Sequence, residues 1–192
     1  MFNFDFYNPT RIVFGNETIS RLDELVPAAA RILLLYGGQS ARANGTLREV
    51  RDALGSREVQ EFGGIEPNPS YETLIKAVDQ VRTHRLDFLL AVGGGSVIDG
   101  TKFVAAAVGY EGDAWDILET RGASIRRALP FGTVLTLPAT GSEMNNGGVV
   151  TRRATQDKLP RRSKHICPKT QKNNPTNTQT PPPHQPTNPP PH

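Results

Sequence analysis

The sequence predicts an α/β fold, a mostly parallel sheet with flanking helices. Three observations carry that reading. Ile32–Tyr36, Phe88–Val92 and Thr133–Leu137 are strand-length runs rich in apolar residues, each ended by Gly or Pro. Runs without polar alternation belong to strands covered on both faces. Segments with apolar residues at helical spacing lie between them, and strand alternating with helix is the order that builds parallel sheets.

The elements follow in order along the chain. Arg11-Ile12-Val13-Phe14 is a short β-prone run closed by Gly15. Glu17 to Leu25 reads as a helix, with Ile19, Leu22 and Leu25 at helical spacing and Pro27 beyond its end. The buried run Ile32–Tyr36 stops at Gly37-Gly38. Residues 45–54, with Leu47, Val50 and Leu54, read as a helix, and Glu58–Phe62 as a short alternating strand. Glu66-Pro67-Asn68-Pro69 is a loop, and Ser70 is a good N-cap for a helix from Tyr71 to Arg85 that buries Leu74, Ala77, Val78 and Val81. Phe88–Val92 is followed at once by Gly93-Gly94-Gly95-Ser96, which opens a helix to about Val108. Thr133–Leu137, closed by Pro138, is the next strand.

Composition divides the chain in two. Of 192 residues, 18 are Gly, 16 are Pro and one is Cys, and the net charge is +3. The lone Cys excludes a disulfide framework and a Cys-rich zinc module. No apolar run reaches membrane-spanning length, and the N-terminus has no signal-peptide pattern, so a cytoplasmic protein is expected. After Lys158 there is no Asp, Glu or Gly, but five basic residues and ten of the prolines. The basic balance therefore belongs to the tail, and residues 1–158 are slightly acidic. No nucleic-acid partner is expected, because that needs basic residues spread over a folded face.

Two glycine turns sit where open α/β sheets bind ligands, at the carboxyl ends of strands. In Gly93-Gly94-Gly95-Ser96 the missing Cβ atoms let backbone N–H groups approach an anion, and the following helix aims its free N–H groups at the same point. Ser96 and Asp99 have capping-box spacing. The spacing matches neither GxGxxG nor a Walker A loop, and an empty strand-to-helix turn is the plain alternative. After the earlier strand, Gly37-Gly38-Gln39-Ser40 stands where an acid often binds a ribose hydroxyl. No acid is present there, and Arg42 follows, which leaves room for a 2′-phosphate. A third cluster gathers the hydroxyls of Thr136, Thr140 and Ser142 around Gly141. His84, the body's single histidine, sits at a helix end and reads as a surface residue, so no catalytic residue is assigned.

Taken together, Thr10–Gly15, Phe62-Gly63-Gly64-Ile65-Glu66-Pro67-Asn68-Pro69, Ala91–Lys102 with its Gly-Gly-Gly-Ser-x-x-Asp, and Leu135–Glu143 with its Pro-Ala-Thr-Gly-Ser-Glu closely resemble the iron-containing, or group III, alcohol dehydrogenases. The NADP-dependent butanol dehydrogenase and aldehyde reductase branch is the nearest in look. The resemblance implies a Rossmann-like sheet, the N-terminal domain of the fold shared with dehydroquinate synthase. It implies that Gly93, Gly94, Gly95 and Ser96 hold the cofactor pyrophosphate, with Asp99 supporting the turn. Gly37, Gly38 and Ser40 would lie around the adenosine ribose and its 2′-phosphate. Thr136, Thr140 and Ser142 would face the nicotinamide side, and Lys158 would contact the cofactor. The implied cofactor is NADP in preference to NAD, and the implied substrate a small alcohol or aldehyde. In the intact family a helical C-terminal domain supplies the ligands of a catalytic iron or zinc, and the protein is a homodimer. That domain and its ligands are expected to be missing here; His165 and Cys167 alone do not close a metal site.

The domain boundary is expected at Lys158. Residues 159–192 read as a Pro-rich tail, disordered or a sequence-corrupted copy of the family's continuation, with a polyproline ligand as the other reading. The function implied is an NAD(P)-dependent, metal-requiring alcohol dehydrogenase represented by its cofactor-binding half. An inactive nucleotide-binding fragment and a glycerol dehydrogenase-like relative are the alternatives.

Overall fold

A computed structural model describes residues 7–173, with the side chains of Ser40 and of residues 171–173 outside that description. Its strands are β1 (Arg11–Phe14), β2 (Arg31–Tyr36), β3 (Glu58–Phe62), β4 (Phe88–Gly93), β5 (Phe131–Leu135), β6 (Gly147–Thr151), β7 (Lys158–Arg162) and β8 (Thr170–Asn173). Its α-helices are α1 (Leu22–Leu25), α2 (Ser40–Ala43), α3 (Thr46–Leu54), α4 (Tyr71–His84), α5 (Gly95–Ala107) and α6 (Asp116–Glu119). Six strands form one sheet in the order β1-β8-β5-β4-β2-β3, and every pairing in it is parallel. β6 and β7 form a separate antiparallel hairpin.

The buried runs explain the layering. Side chains alternate across a strand, so an apolar run feeds both faces of a sheet. Leu33 and Leu35 of β2 join Leu89 and Ala91 of β4 in a core with α4, α5 and α6. Ile32 and Leu34 join Leu90 and Val92 on the other face, packed on α1 and α3. α4 starts at Ser70, whose hydroxyl accepts from Thr73 N–H at 3.3 Å, and ends at Arg85 in the left-handed region. α5 is buried along nearly its whole length. It comes close to α4 because Gly100 lacks a side chain: a Cβ there would lie 2.8 Å from Leu74 Cδ2.

The strand order creates the site. From β2 the chain passes outward through α2 and α3 to β3, then returns through α4 to β4 on the opposite side of β2. The loops leaving β2 and β4 therefore diverge, and a crevice opens between their carboxyl ends, as at the switch point of any doubly wound sheet.

The structure departs from the sequence-based reading at four places. Glu17 to Leu25 is not one helix. Glu17 is left-handed (φ 55°), Thr18–Arg21 is a 3-10 turn, and only Leu22–Leu25 is α-helical. Apolar residues every third position suit a three-residue pitch as well as an α-helix. The strand expected at Thr133–Leu137 lies two residues earlier, because Phe131 pairs with Leu89 and leaves Thr136 and Leu137 in the turn. Ser96 and Asp99 do not form a capping box; Gly94 is the N-cap, without a side-chain cap.

The fourth departure concerns the end of the body. The described chain continues past Lys158 through β7 and β8, and β8 lies between β1 and β5. The backbone hydrogen bonds of a strand need no apolar side chain, so a polar segment takes an inner place that composition does not announce. The remainder of the Pro-rich segment, from residue 174, lies outside the described residues. Among the described residues no helix is long and apolar enough to cross a membrane.

Candidate functional site

The crevice between β2 and β4 holds a cavity of about 220 Å³, walled by Gly37, Gly38, Gly93, Gly94 and Thr136 with Leu137 at its rim. Its glycines are of two kinds. A Cβ on Gly93 would lie 2.6 Å from Val97, and one on Gly95 would lie 2.3 Å from Thr140 Oγ1, so the fold itself needs both to be glycine. A Cβ on Gly38 would meet nothing within 4 Å, and one on Gly94 would make only ordinary contact with Leu137 at 3.7 Å. Gly94 has φ −89°, open to any residue. Among the described residues nothing fills the space these two glycines leave. The N-terminus of α5 points into the same crevice with no side chain on its first N–H groups, the arrangement that receives an anion.

Ser96 and Lys158 are joined through the loop after β3. Asn68 takes the left-handed region (φ 56°), where Asn is tolerated better than most residues. Its N–H donates to Ser96 Oγ at 3.4 Å, and its Oδ1 accepts from Lys158 Nζ at 2.8 Å. Lys158 is thereby brought from β7 to the start of α5. Ser40 opens α2 just beyond the Gly37-Gly38 turn.

A second cavity, about 620 Å³, lies between the amino-terminal half of α5, the β6–β7 hairpin and the loop 136–146. Asp99, Thr140 and Ser142 line it, together with Asn145, Arg121 and Arg161. Asp99 is the organiser. Its Oδ1 accepts from Ser142 Oγ at 2.8 Å, and its Oδ2 accepts from Val149 N–H at 3.0 Å. Thr140 Oγ1 in turn donates to Ser142 Oγ at 2.9 Å. One carboxylate thus fixes two of the hydroxyls and the start of the hairpin to α5.

Two buried cations complete this region. Lys102, without solvent exposure, donates from Nζ to Asn145 Oδ1 at 2.8 Å and to the Gly147 carbonyl at 2.6 Å. Burial pushes its ammonium down to about 8 against the opposing pull of Asp99. Arg161, equally buried, donates from Nη2 to the Asp99 carbonyl and lies 5.5 Å over the Phe103 ring. Burial pushes its guanidinium down to about 10. Among the described residues its Nε and Nη1 have no hydrogen-bond partner.

The sequence-derived residues therefore fall into three places. Gly37, Gly38, Gly93, Gly94 and Thr136 form the smaller cavity, and Asp99, Thr140 and Ser142 line the larger. Gly95 lies under Thr140, while Ser96 and Lys158 meet on Asn68. Asn68, Lys102 and Arg161 were not singled out as site residues. Asn68 carried a signal, an Asn between two prolines; a lysine inside an apolar helix and an arginine in a basic run gave none. His84 is exposed. Among the described residues no three His, Cys, Asp or Glu side chains gather to hold a metal.

A doubly wound parallel sheet with glycine turns converging at its switch point defines an α/β domain of the dinucleotide-binding type. Residues 9–171 match the family model for iron-containing alcohol dehydrogenase, and the chain belongs to that family. It is 55% identical over 170 residues to the NADPH-dependent aldehyde reductase YqhD of Escherichia coli, covering 88% of this chain and 44% of the relative. It is 48% identical over 172 residues to a probable NADH-dependent butanol dehydrogenase of Bacillus subtilis, with the same coverage. The crystal structure of E. coli YqhD superposes with a TM-score of 0.91 at 53% identity, over 94% of this chain and 47% of that one. NADH-dependent butanol dehydrogenase A of Thermotoga maritima gives 0.86 at 40% identity, over 91% and 44%. The chain thus spans less than half the length of these relatives.

Proposed function

We propose that this chain is the cofactor-binding part of an NADP-dependent alcohol dehydrogenase that reduces small aldehydes. The observation that carries the proposal is the pair Gly38 and Gly94, whose missing side chains the fold does not require and whose space opens into the switch-point crevice. The first N–H groups of α5 receive the pyrophosphate, and Ser96 and Lys158 flank it through Asn68. Asp99 holds Thr140 and Ser142 in one wall of the larger cavity, at the nicotinamide end. When bound, the nicotinamide supplies or accepts the hydride exchanged with the substrate. The described residues do not fit a metal ion, and none of these steps is routed through one.

NADP in place of NAD rests on the turn after β2. Gly37-Gly38-Gln39 presents no acid to repel a 2′-phosphate. Arg42, 57% exposed and paired with Glu61 at 3.1 Å, lies just beyond it. The names of the relatives include both NADPH and NADH enzymes, in keeping with a preference set by few residues.

Fluorescence titration of the 192-residue chain with NADPH tests the reading. NADPH binds, and NADH binds more weakly. Gly38→Ala and Gly94→Ala keep the thermal midpoint within about 2 °C, since each alanine has room. Both weaken NADPH at least about tenfold, because the methyl group occupies the anion's approach. Unaltered NADPH affinity in both variants would refute the assignment. Arg42→Ala lowers affinity for NADPH and leaves that for NADH in place.

A further inference from the structure

The larger cavity carries an imbalance of charge that the cofactor reading does not use. Arg161 forms part of its wall, and Arg121 and Arg162 stand exposed at its edge, tied by the hydrogen bond from Arg162 N–H to the Arg121 carbonyl at 3.1 Å. Asp99 is, among the described residues, the one carboxylate in the lining, and both its oxygens are already taken by Ser142 and Val149. Among the described residues no carboxylate lies within ion-pair distance of Arg161; Nη2 is satisfied by a main-chain carbonyl, and Nε and Nη1 have no partner. A buried guanidinium with unmatched donors is costly unless an anion answers it. The amide N–H groups of Asn145, whose Oδ1 alone is engaged by Lys102 and the Gly147 N–H, add a neutral donor suited to an oxyanion. The hydroxyl protons of Thr140 and Ser142 are already spent.

We infer that this cavity binds an oxyanion, and that the group is carried by the substrate: an aldehyde bearing a carboxylate, with the carboxylate toward Arg161. The inference rests on the reading of the larger cavity as the nicotinamide end, and it narrows the substrate class from small aldehydes in general to acidic ones. Arg161 is then a specificity-determining residue. Of the neighbouring charges, Asp99 pulls on both Arg161 and Lys102, Lys102 is spent on Asn145 and Gly147, and Glu143 does not line the cavity. Arg121 and Arg162 therefore leave the lining with an excess of positive charge.

The test uses thermal melts of the full 192-residue chain at constant ionic strength, with chloride as the balancing salt. Three probes are compared: sulfate, succinic semialdehyde, and butanal, which has the same four-carbon chain without the carboxylate. Succinic semialdehyde is expected to raise the melting midpoint saturably by about 3–6 °C at roughly ten times its Kd. Sulfate raises it at higher concentration, and butanal leaves it near its starting value. Arg161→Met, apolar and of similar length, folds and loses the response to both anions, whereas Arg161→Lys retains a weaker one.

Equal responses to succinic semialdehyde and butanal overturn the inference, as do equal responses from the wild-type chain and Arg161→Met. A response to sulfate with none to succinic semialdehyde assigns the cavity to a free oxyanion and overturns the substrate class. NADPH titration of the same samples separates the two readings. In the wild-type chain, absence of any anion response with NADPH binding intact defeats this inference alone, and an anion response without NADPH binding defeats the cofactor assignment.

Discussion

Lys102 shows what one buried cation does to the chemistry around it. Its ammonium is held by Asn145 and Gly147, yet burial depresses it to about 8, below the ordinary lysine value of 10.5. A lysine that binds its proton less tightly in the folded than in the unfolded chain makes stability rise with pH between those two values. The wild-type chain therefore gains about 2 kcal/mol from this group between pH 7 and pH 9.5. Lys102→Met lacks that gain, and urea melts of both proteins at the two pH values check it; parallel slopes would disprove it. The same residue marks where sequence reading stops. Glycines and hydroxyls at strand ends can be placed from spacing alone, because the turn dictates them. Lys102 and Arg161 acquire their roles from the hairpin that folds over α5, and no local pattern records that contact.

At the scale of elements, α5 and the final strand behave in opposite ways. Both α4 and α5 were legible as helices, while their contact, which places Gly100 against Leu74, came only with the structure. Gly100→Ala is expected to lower stability by about 1 kcal/mol, the overpacking cost exceeding the gain in helix propensity. A shift in urea midpoint without loss of cooperativity would show it. β8 was not readable. Thr-Gln-Lys-Asn has none of the apolar character of an inner parallel strand, yet its backbone pairs with β1 on one side and β5 on the other. Lys172 stands in register with Val13 and Val134. Lys172→Pro removes a backbone N–H from the middle of this pairing and should lower stability by about 2 kcal/mol, read as a fall in urea midpoint at unchanged slope. A neutral result would mean that β8 contributes little to the folded chain.

At the scale of the molecule, the parallel sheet was legible because its central strands β2, β4 and β5 are apolar on both faces, and so was the crevice at their ends. Its far edge was not. Among the described residues β1 pairs only with β8, and Ile12 and Phe14 stand 45% and 71% exposed along it. An open strand with apolar side chains invites association with another chain. Phe14→Lys is expected to reduce association of the purified chain, measured by light scattering across a concentration series; unchanged scattering would exonerate this edge. The two kinds of glycine in the crevice have a consequence of another sort. In a library of variants screened only for folding, Gly93, Gly95 and Gly100 would persist while Gly38 and Gly94 drifted freely to alanine and serine. Add retention on an immobilised nucleotide as a second screen, and the drift would cease at those two positions alone. A protein relieved of its chemistry would thus lose the memory of its ligand there first, long before its shape betrayed the loss.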